Sequence, residues 1–197
     1  MSKLFVEQVV NGNKTIVSEW NDNEQGAKVA FHNLCVDLLN DANTDKALVQ
    51  ITDETMNKWN GYREDIDKTD GYLAYDAETE YTKGSKVSYN NVDYIYINDK
   101  PGAGIIPTNT DYWKVYTPNG KLYVLKVSND NLVIDQITEW IPNNAGKKGA
   151  LADYHTKCAS MWNAPDVITA NVKILNENLD TWMQKSEYIY HIVEPEE

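Results

Sequence analysis

Residues 3–16 read KLFVEQVVNGNKTI and residues 121–134 read KLYVLKVSNDNLVI, so one pattern occurs twice at an offset of 118. After short insertions the match continues at an offset of 120 and then at a constant offset of 123. These later registers pair Glu19 with Glu139, Trp20 with Trp140, Gly26 with Gly149, His32 with His155, Cys35 with Cys158, Asn40 with Asn163, Val49 with Val172, Ile51 with Ile174, Glu54 with Glu177 and Trp59 with Trp182. A colinear series of this length indicates an internal duplication.

The first copy has the periodicities of two hairpins and one helix. Residues 3–10 and 14–20 are rich in β-branched and aromatic types and flank Asn-Gly-Asn, a sequence that suits a turn with positive φ. Residues 25–41 carry apolar side chains at helical spacing, after a polar stretch that can cap a helix. Residues 48–52 and 56–62 surround Asp-Glu and predict a second hairpin.

The second copy keeps the same signals, with its second hairpin predicted at residues 171–175 and 179–188. We therefore predict an α+β fold in which each copy is a β-β-α-β-β domain. Its helix would cover one face of a four-stranded antiparallel sheet. The two copies would span residues 1–70 and 119–197, and a separate small domain would span residues 71–118.

The segment between the copies is rich in aromatic residues and has no helical period. Residues 72–117 contain 8 of the 13 Tyr in the chain together with Trp113. Alternating runs at Lys86–Tyr89 and Val92–Tyr96, separated by Asn-Asn, predict a tight hairpin. A domain of this size is stable only with a compact interior, and we expect aromatic side chains to form it.

The segment also carries an aromatic motif that starts at Tyr75 and ends at Tyr112-Trp113, with Pro107 in the loop before that pair. Its centre reads Tyr81-Thr-Lys-Gly84-Ser-Lys-Val87-Ser-Tyr89-Asn-Asn-Val-Asp-Tyr94. The motif resembles the chitin-binding type 3 modules of carbohydrate-binding families 5 and 12. Those modules usually have Trp at the first position and Asp after the glycine, where this chain has Tyr75 and Ser85.

The resemblance implies a small all-β module that binds sugars through exposed rings stacked on pyranose faces. On this interpretation the carbohydrate-binding residues are Tyr75, Tyr96, Tyr112 and Trp113. The alternative is a spacer without a ligand, in which the motif residues only build the interior. The recurring pairs Trp20/Trp140 and Trp59/Trp182 are interpreted separately, as core or interface anchors.

The only constellation of ligand-type residues in the sequence is His32-x-x-Cys35 with His155-x-x-Cys158. Spacing of i, i+3 on a helix places His and Cys on one side, so a zinc site shared between the copies is one interpretation. The other is a repeated core position, which we favour because each cysteine lies in the apolar stripe. A Cys-His nucleophile has no accessible attack geometry at this spacing. We therefore expect no catalytic residues, no metal and no cofactor.

Composition limits the classes of partner. The formal net charge is −12, from 30 acidic and 18 basic residues, and no Lys/Arg cluster interrupts this acidity, so nucleic acid is not an expected partner. No apolar run is long enough to span a bilayer, and the first residues do not read as a signal peptide. Two cysteines are too few for a disulfide framework, which suits synthesis in a reducing cytoplasm.

Modules of the chitin-binding type occur in phage tail and fibre proteins as well as in chitinases, and the flanking repeats resemble domains of phage structural proteins. The resemblance implies a non-enzymatic virion protein, such as a head fibre, tail or decoration subunit, made in the host cytoplasm. Its partners would be other virion proteins, a further copy of the chain in a homo-oligomer, and a host surface glycan. The alternatives are an accessory subunit of a polysaccharide-degrading enzyme and a free soluble glycan-binding protein.

Overall fold

The computed structural model describes residues 3–10, 12–68, 72–90, 92–117, 120–128, 133–164 and 168–191. Its elements in chain order are β1 (Lys3–Val10), β2 (Asn13–Asn21), α1 (Glu24–Asn40), β3 (Lys46–Asp53), β4 (Lys58–Asp67), β5 (Lys86–Tyr89), β6 (Val92–Tyr96), β7 (Trp113–Val115), β8 (Leu122–Ser128), β9 (Val133–Trp140), α2 (Asn144–Trp162), β10 (Thr169–Leu175) and β11 (Thr181–Tyr190). The predicted α+β class is confirmed.

The strands form three antiparallel sheets. The first has the order β2-β1-β3-β4, the second has the matching order β11-β10-β8-β9, and the third contains β5-β6-β7. We call β1–β4 with α1 the N-terminal unit, and β8–β11 with α2 the C-terminal unit. The domain boundaries predicted at 70/71 and 118/119 lie outside the described residues, as do the predicted turn residues Asn11, Asn91 and 129–131.

Strand periodicity decides which side chains lie beneath each helix. Val6, Val49 and Ile51 alternate with polar or less buried neighbours and are completely buried in the core that also contains Phe31 of α1. In the C-terminal unit, Val172 takes the same role as Val49. Each unit therefore has its own hydrophobic core between one sheet and one helix.

The start of each helix is fixed in the same way in both units. The side chains of Asn23 and Asn143 accept a hydrogen bond from a backbone N–H in the first turn, at 2.8 Å in each case. A glycine of each helix, Gly26 or Gly149, lies directly against the ring of the preceding tryptophan, Trp20 or Trp140. A Cβ atom at either glycine would overlap that ring, so the repeated Gly is needed for the repeated Trp to pack.

Strands β4 and β11 differ from the prediction because each contains a large bulge of four residues. Thr52 pairs with Lys58 and Gln50 with Arg63, so residues 59–62 lie opposite a single residue of β3. In β11 the bulge occupies the corresponding residues, 182–185. The central residues of both bulges have left-handed φ: 45° at Asn60, 76° at Gly61, 48° at Met183 and 57° at Gln184.

The small sheet has the two strands that the sequence predicted, with identical bounds. Its interior is formed by Tyr81, Val87, Tyr96 and Trp113. The ring of Trp113 meets the ring of Tyr96 edge to face, at a centroid distance of 4.8 Å. This cluster supplies the aromatic interior that a body of this size needs.

Candidate functional site

The two helices pack against each other, and their histidines meet at the contact. Nδ1 of His32 lies 2.8 Å from Nδ1 of His155. Both residues are only 1% exposed. Because they occupy equivalent positions in the two units, one repeated side chain has become a buried pair across the interface.

Each histidine also faces a carboxylate of the opposite unit. Nε2 of His32 lies 3.5 Å from Glu187 of β11, and Nε2 of His155 lies 3.6 Å from Glu64 of β4. These distances join ion-pair partners but exceed ordinary hydrogen bonds. The contacts are reciprocal, as in an isologous interface between two copies of one domain.

Glu187 is held by neutral donors. Its Oε1 accepts hydrogen bonds from the Tyr62 hydroxyl at 2.5 Å and from the Trp162 indole N–H at 3.1 Å. Burial alone would raise the pKa of Glu187, but His32, Tyr62 and Trp162 together hold this pKa below its ordinary value. Glu187 is therefore a buried anion at neutral pH.

Glu64 is held by a charged donor instead. Its Oε2 accepts from the ammonium group of Lys185, which belongs to the opposite unit. Burial opposes ionisation here too, yet His155 and Lys185 hold the pKa of Glu64 below its ordinary value. The interface thus carries one carboxylate that accepts a hydrogen bond from an ammonium group and one whose hydrogen-bond donors are neutral.

Burial changes the acid–base properties of the other groups at this interface. It lowers the pKa of His155 to about 4, with a further contribution from the charge on His32. Burial also raises the pKa of the Tyr62 and Tyr154 hydroxyls above the ordinary value. Both phenols are consequently neutral at neutral pH.

Beside the histidines, a lysine lies in an aromatic cage built by both units. The ammonium of Lys28 lies 3.9 Å from the ring centroid of Trp162, which is within cation–π range. The other rings lie at 5.6 Å for Trp59, 5.9 Å for Tyr62 and 6.0 Å for Tyr190. Burial lowers the pKa of Lys28, while the negative charges of Glu24 and Glu187 oppose that effect.

A polar groove lies over the histidine pair, with a volume of about 320 Å³. Its walls come from the bulges and the following residues of β4 and β11, including Asn60, Arg63, Gln184 and Ser186. The floor includes both histidines and both carboxylates. The bulges therefore place the histidine pair and its two carboxylates beneath an open groove.

The cysteines lie apart from this arrangement. Cys35 and Cys158 are completely buried free thiols, and each belongs to the hydrophobic core of its own unit. Burial raises the pKa of both thiols well above the ordinary value. Within the described ranges, no three His, Cys, Asp or Glu side chains are grouped so that they could hold a metal ion. The structure thus brings together the histidines of the zinc interpretation but supports the core interpretation of the cysteines.

The four predicted carbohydrate-binding residues lie in two different environments. Tyr96 and Trp113 are 0% and 1% exposed, and their polar atoms bond inward to the carbonyls of Lys100 and Ile105. Neither presents a ring face to solvent. Tyr75 and Tyr112 are half-buried and pack against this cluster from outside. Only these two of the four candidates keep an accessible ring surface.

Sequence reasoning missed the two carboxylates. Glu64 and Glu187 are related by the same offset of 123 that pairs the histidines, five residues beyond the Trp59/Trp182 match. The register of the repeat therefore already indicated that these two glutamates occupy equivalent positions. In a strand with many charged residues, however, nothing in the pattern distinguishes a buried Glu from an exposed one.

Comparison with known proteins finds no matching family model and no curated protein of significant similarity. Among the residues that the structure describes, no helix is both long enough and apolar enough to cross a membrane.

Proposed function

We propose that the chain is a non-enzymatic structural protein of a phage virion, such as a head fibre, tail or decoration subunit. The observation that supports this proposal is that the ionisable groups at the interface between the units are engaged in contacts within the protein. His32, His155, Glu64 and Glu187 are the groups best suited to acid–base chemistry, and they bind one another or neighbouring donors. Such an interface stabilises a rigid body, because the groups that acid–base chemistry would use are engaged with one another.

In this proposal the chain consists of two copies of a β-β-α-β-β domain, at residues 1–70 and 119–197, which flank a carbohydrate-binding-like module at residues 71–118. The matching sheet orders and the offset of 123 support the duplication. The separate aromatic interior of the small sheet supports its assignment as a module. The two large domains attach to other virion proteins or to a further copy of the chain.

The central module contacts a host surface glycan through Tyr75 and Tyr112. Tyrosine rings suit this role because they offer an apolar face for stacking. The hydroxyl of Tyr75 is itself buried, so Tyr75 would contact the glycan through its ring alone. The two buried candidates, Tyr96 and Trp113, position these rings by packing beneath them. This assignment rests on the resemblance to chitin-binding modules and on the accessibility of the two rings.

Immunogold labelling of purified particles tests the structural role. An antibody raised against the chain should label intact virions at a fixed position in micrographs, and the protein should co-purify with particles through a density gradient. Free protein with no particle-bound fraction would contradict the proposal and favour the soluble glycan-binding alternative. Release of reducing sugar from chitin or cell wall would favour the enzyme-subunit alternative.

A glycan array tests the module. We expect the intact chain to bind at least one glycan, and the Tyr75→Ala, Tyr112→Ala double variant to lose at least about tenfold in affinity, since each stacked ring contributes about 1 kcal/mol. Tyr188→Ala is the matched control, because Tyr188 is an exposed ring outside the module. Equal binding by the intact chain and the double variant would remove the two tyrosines from the site. If the intact chain bound no glycan on the array, the result would favour the interpretation of the module as a spacer without a ligand.

A further inference from the structure

The contact between the two histidines fixes the number of protons that the pair can hold. A distance of 2.8 Å between Nδ1 atoms requires one N–H donor and one unprotonated acceptor. Two protonated Nδ1 atoms would repel each other, and two bare ones would place lone pairs together. The contact therefore contains a single proton.

The outer nitrogens add a second condition. Both Nε2 atoms are buried and make no hydrogen bond among the described residues, and each lies against a carboxylate. A protonated Nε2 is attracted to that carboxylate, whereas a bare lone pair is repelled by it. The geometry therefore favours an N–H on both Nε2 atoms, which gives three protons on four ring nitrogens.

We propose that His32 and His155 share one extra proton at neutral pH, and that this proton acts as a pH-dependent clasp between the two units. The pair then carries one positive charge. The contacts form a chain from Glu64 through the rings of His155 and His32 to Glu187. Each unit is therefore bound to the other through its own histidine and its own carboxylate. The inference does not depend on the virion role.

The surrounding charges are consistent with one such proton. The titratable groups packed around the pair are Lys28 and Cys35 from α1, Tyr62, Arg63 and Glu64 from β4, Tyr154 and Cys158 from α2, and Lys185 and Glu187 from β11. Lys185 offsets Glu64, and Arg63 pairs with Asp65. The ammonium of Lys28 lies against the Trp162 ring. The hydrogen-bond donors of Glu187 are neutral, and the shared proton adds to the attraction that Lys28 already exerts on this carboxylate.

A change of one proton in either direction weakens the contact. A second proton places N–H against N–H at the Nδ1 atoms and adds a buried charge. Loss of the shared proton leaves a bare Nε2 facing a carboxylate. Because α1 and α2 meet at this pair, either change loosens the contact between the two helices.

The acid side of this window follows from the pKa of His155, which burial lowers to about 4 from 6.5. Between these values the unfolded chain binds more protons than the folded chain. On the acid side, the contribution of the pair is therefore lost as the pH falls from about 6.5 through about 4, whereas on the alkaline side it is lost when the shared proton leaves. If both histidines took up protons readily in the folded chain, the stability of the interface would instead rise as the pH falls.

Nitrogen NMR of the full chain with ¹⁵N-labelled histidine tests the proton count. At pH 7 we expect both Nε2 atoms of the pair to be protonated, and the two Nδ1 atoms to show values between those of protonated and bare nitrogens. His191, whose Nε2 lies 2.9 Å from the Met161 carbonyl, is an internal reference. A bare Nε2 in either ring of the pair, or two fully protonated rings, would overturn the proposal.

Thiol labelling tests the clasp, because the only two cysteines of the chain are completely buried in the cores next to the helix contact. The reagent is an aromatic disulfide that reacts at acidic pH, and each rate is divided by that of the denatured chain at the same pH. From pH 7 to pH 4.5, we expect the relative labelling rate of the natural chain to rise by about tenfold or more, the factor for one unit of pKa.

The variant for this experiment is His32→Asn with His155→Asn, which keeps an amide near each Nδ1 position but cannot titrate. Its relative labelling rate should change less than that of the natural chain over the same range, since no imidazole remains to titrate at the helix contact. His191→Asn should behave like the natural chain. Identical pH profiles for the natural chain and the double variant would refute the clasp. Should the double variant fail to fold, the NMR proton count decides the question.

Discussion

Two corners of the helix interface occupy equivalent positions and have different chemistry. In one, Lys28 lies among four aromatic rings. In the other, the equivalent residue is Leu151, which packs against both hydrophobic cores and lines a cavity of about 210 Å³. The offset of 123 relates Trp59 to Trp182, Tyr62 to Lys185, Trp162 to Leu39 and Tyr190 to Asp67. Of the four aromatic residues around Lys28, only Trp59 has an aromatic equivalent in the other unit, Trp182.

The centre of the interface has not diverged in this way. His32 and His155 are identical, and so are Glu64 and Glu187. A side chain at the centre contacts its own equivalent or that of its neighbour, so a change there alters both sides of the contact at once. At a corner each copy meets different neighbours and can change alone. Position in the interface thus decides which repeated residues stay equal.

The largest effect should come from removing a central carboxylate. We expect Glu187→Ala to lower the free energy of unfolding by about 3–5 kcal/mol, because it leaves the Tyr62 hydroxyl and the Trp162 N–H buried without an acceptor. Glu64→Ala should cost less, since Lys185 can extend to water. Urea denaturation measures both. Asp65→Ala, an exposed carboxylate on β4, is the control and should stay within about 0.5 kcal/mol. Equal small losses for all three variants would mean that the contacts of the central carboxylates add no more to the free energy of unfolding than an exposed carboxylate does.

Exchanging the corner residues should give unequal results. Leu151→Lys is expected to cost about 2 kcal/mol, because its corner has no rings equivalent to Trp162 and Tyr190 to receive an ammonium group. Lys28→Leu should cost less than about 1 kcal/mol, since leucine packs on the rings and the burial of a charge is relieved. Thermal unfolding of the two single variants measures the difference. A greater loss for Lys28→Leu would show that the cation, and not the packing, stabilises the cage.

The effect most equal between the two units should follow from adding a methyl group beneath each tryptophan. Gly26→Ala and Gly149→Ala should each cost about 1–3 kcal/mol, because the Cβ atom displaces the ring of Trp20 or Trp140. Ala is the better helix former, so a gain in stability would indicate that the ring moves away freely. Tryptophan fluorescence during urea unfolding reports both the stability and the ring environment.

The fold was largely predictable because duplication supplied two independent observations of each element. The turn sequence Asn-Gly-Asn and the apolar stripe of α1 are local signals, and the hairpin of β5 and β6 was predicted with correct bounds. The bulges were not predicted. Asn60-Gly61 is an ordinary turn sequence, but Met183-Gln184 carries no such signal and is held in left-handed φ by its surroundings.

The site was less predictable, because burial depends on contacts between distant segments. Periodicity assigned the cysteines to the core, where they lie, but it placed the histidines at the edge of the stripe. They are buried because the second helix covers that edge. In the small sheet, alternation could not distinguish the covered rings, Tyr96 and Trp113, from the accessible ones. A three-stranded sheet has no second layer from which to infer the inner face.

The bulges also determine where this molecule can join another through its backbone. An edge strand that is straight invites pairing with a strand of a neighbouring chain, and a bulge hinders it. Strands β4 and β11 are edges interrupted by four residues, whereas β2 and β9, which end the opposite sides of the sheets, are each interrupted by a single residue. Exposed aliphatic side chains at Ile16, Val17 and Ile137 lie on those two strands. Polymerisation by strand addition would therefore proceed from the outer sides of the molecule and leave the histidine interface untouched.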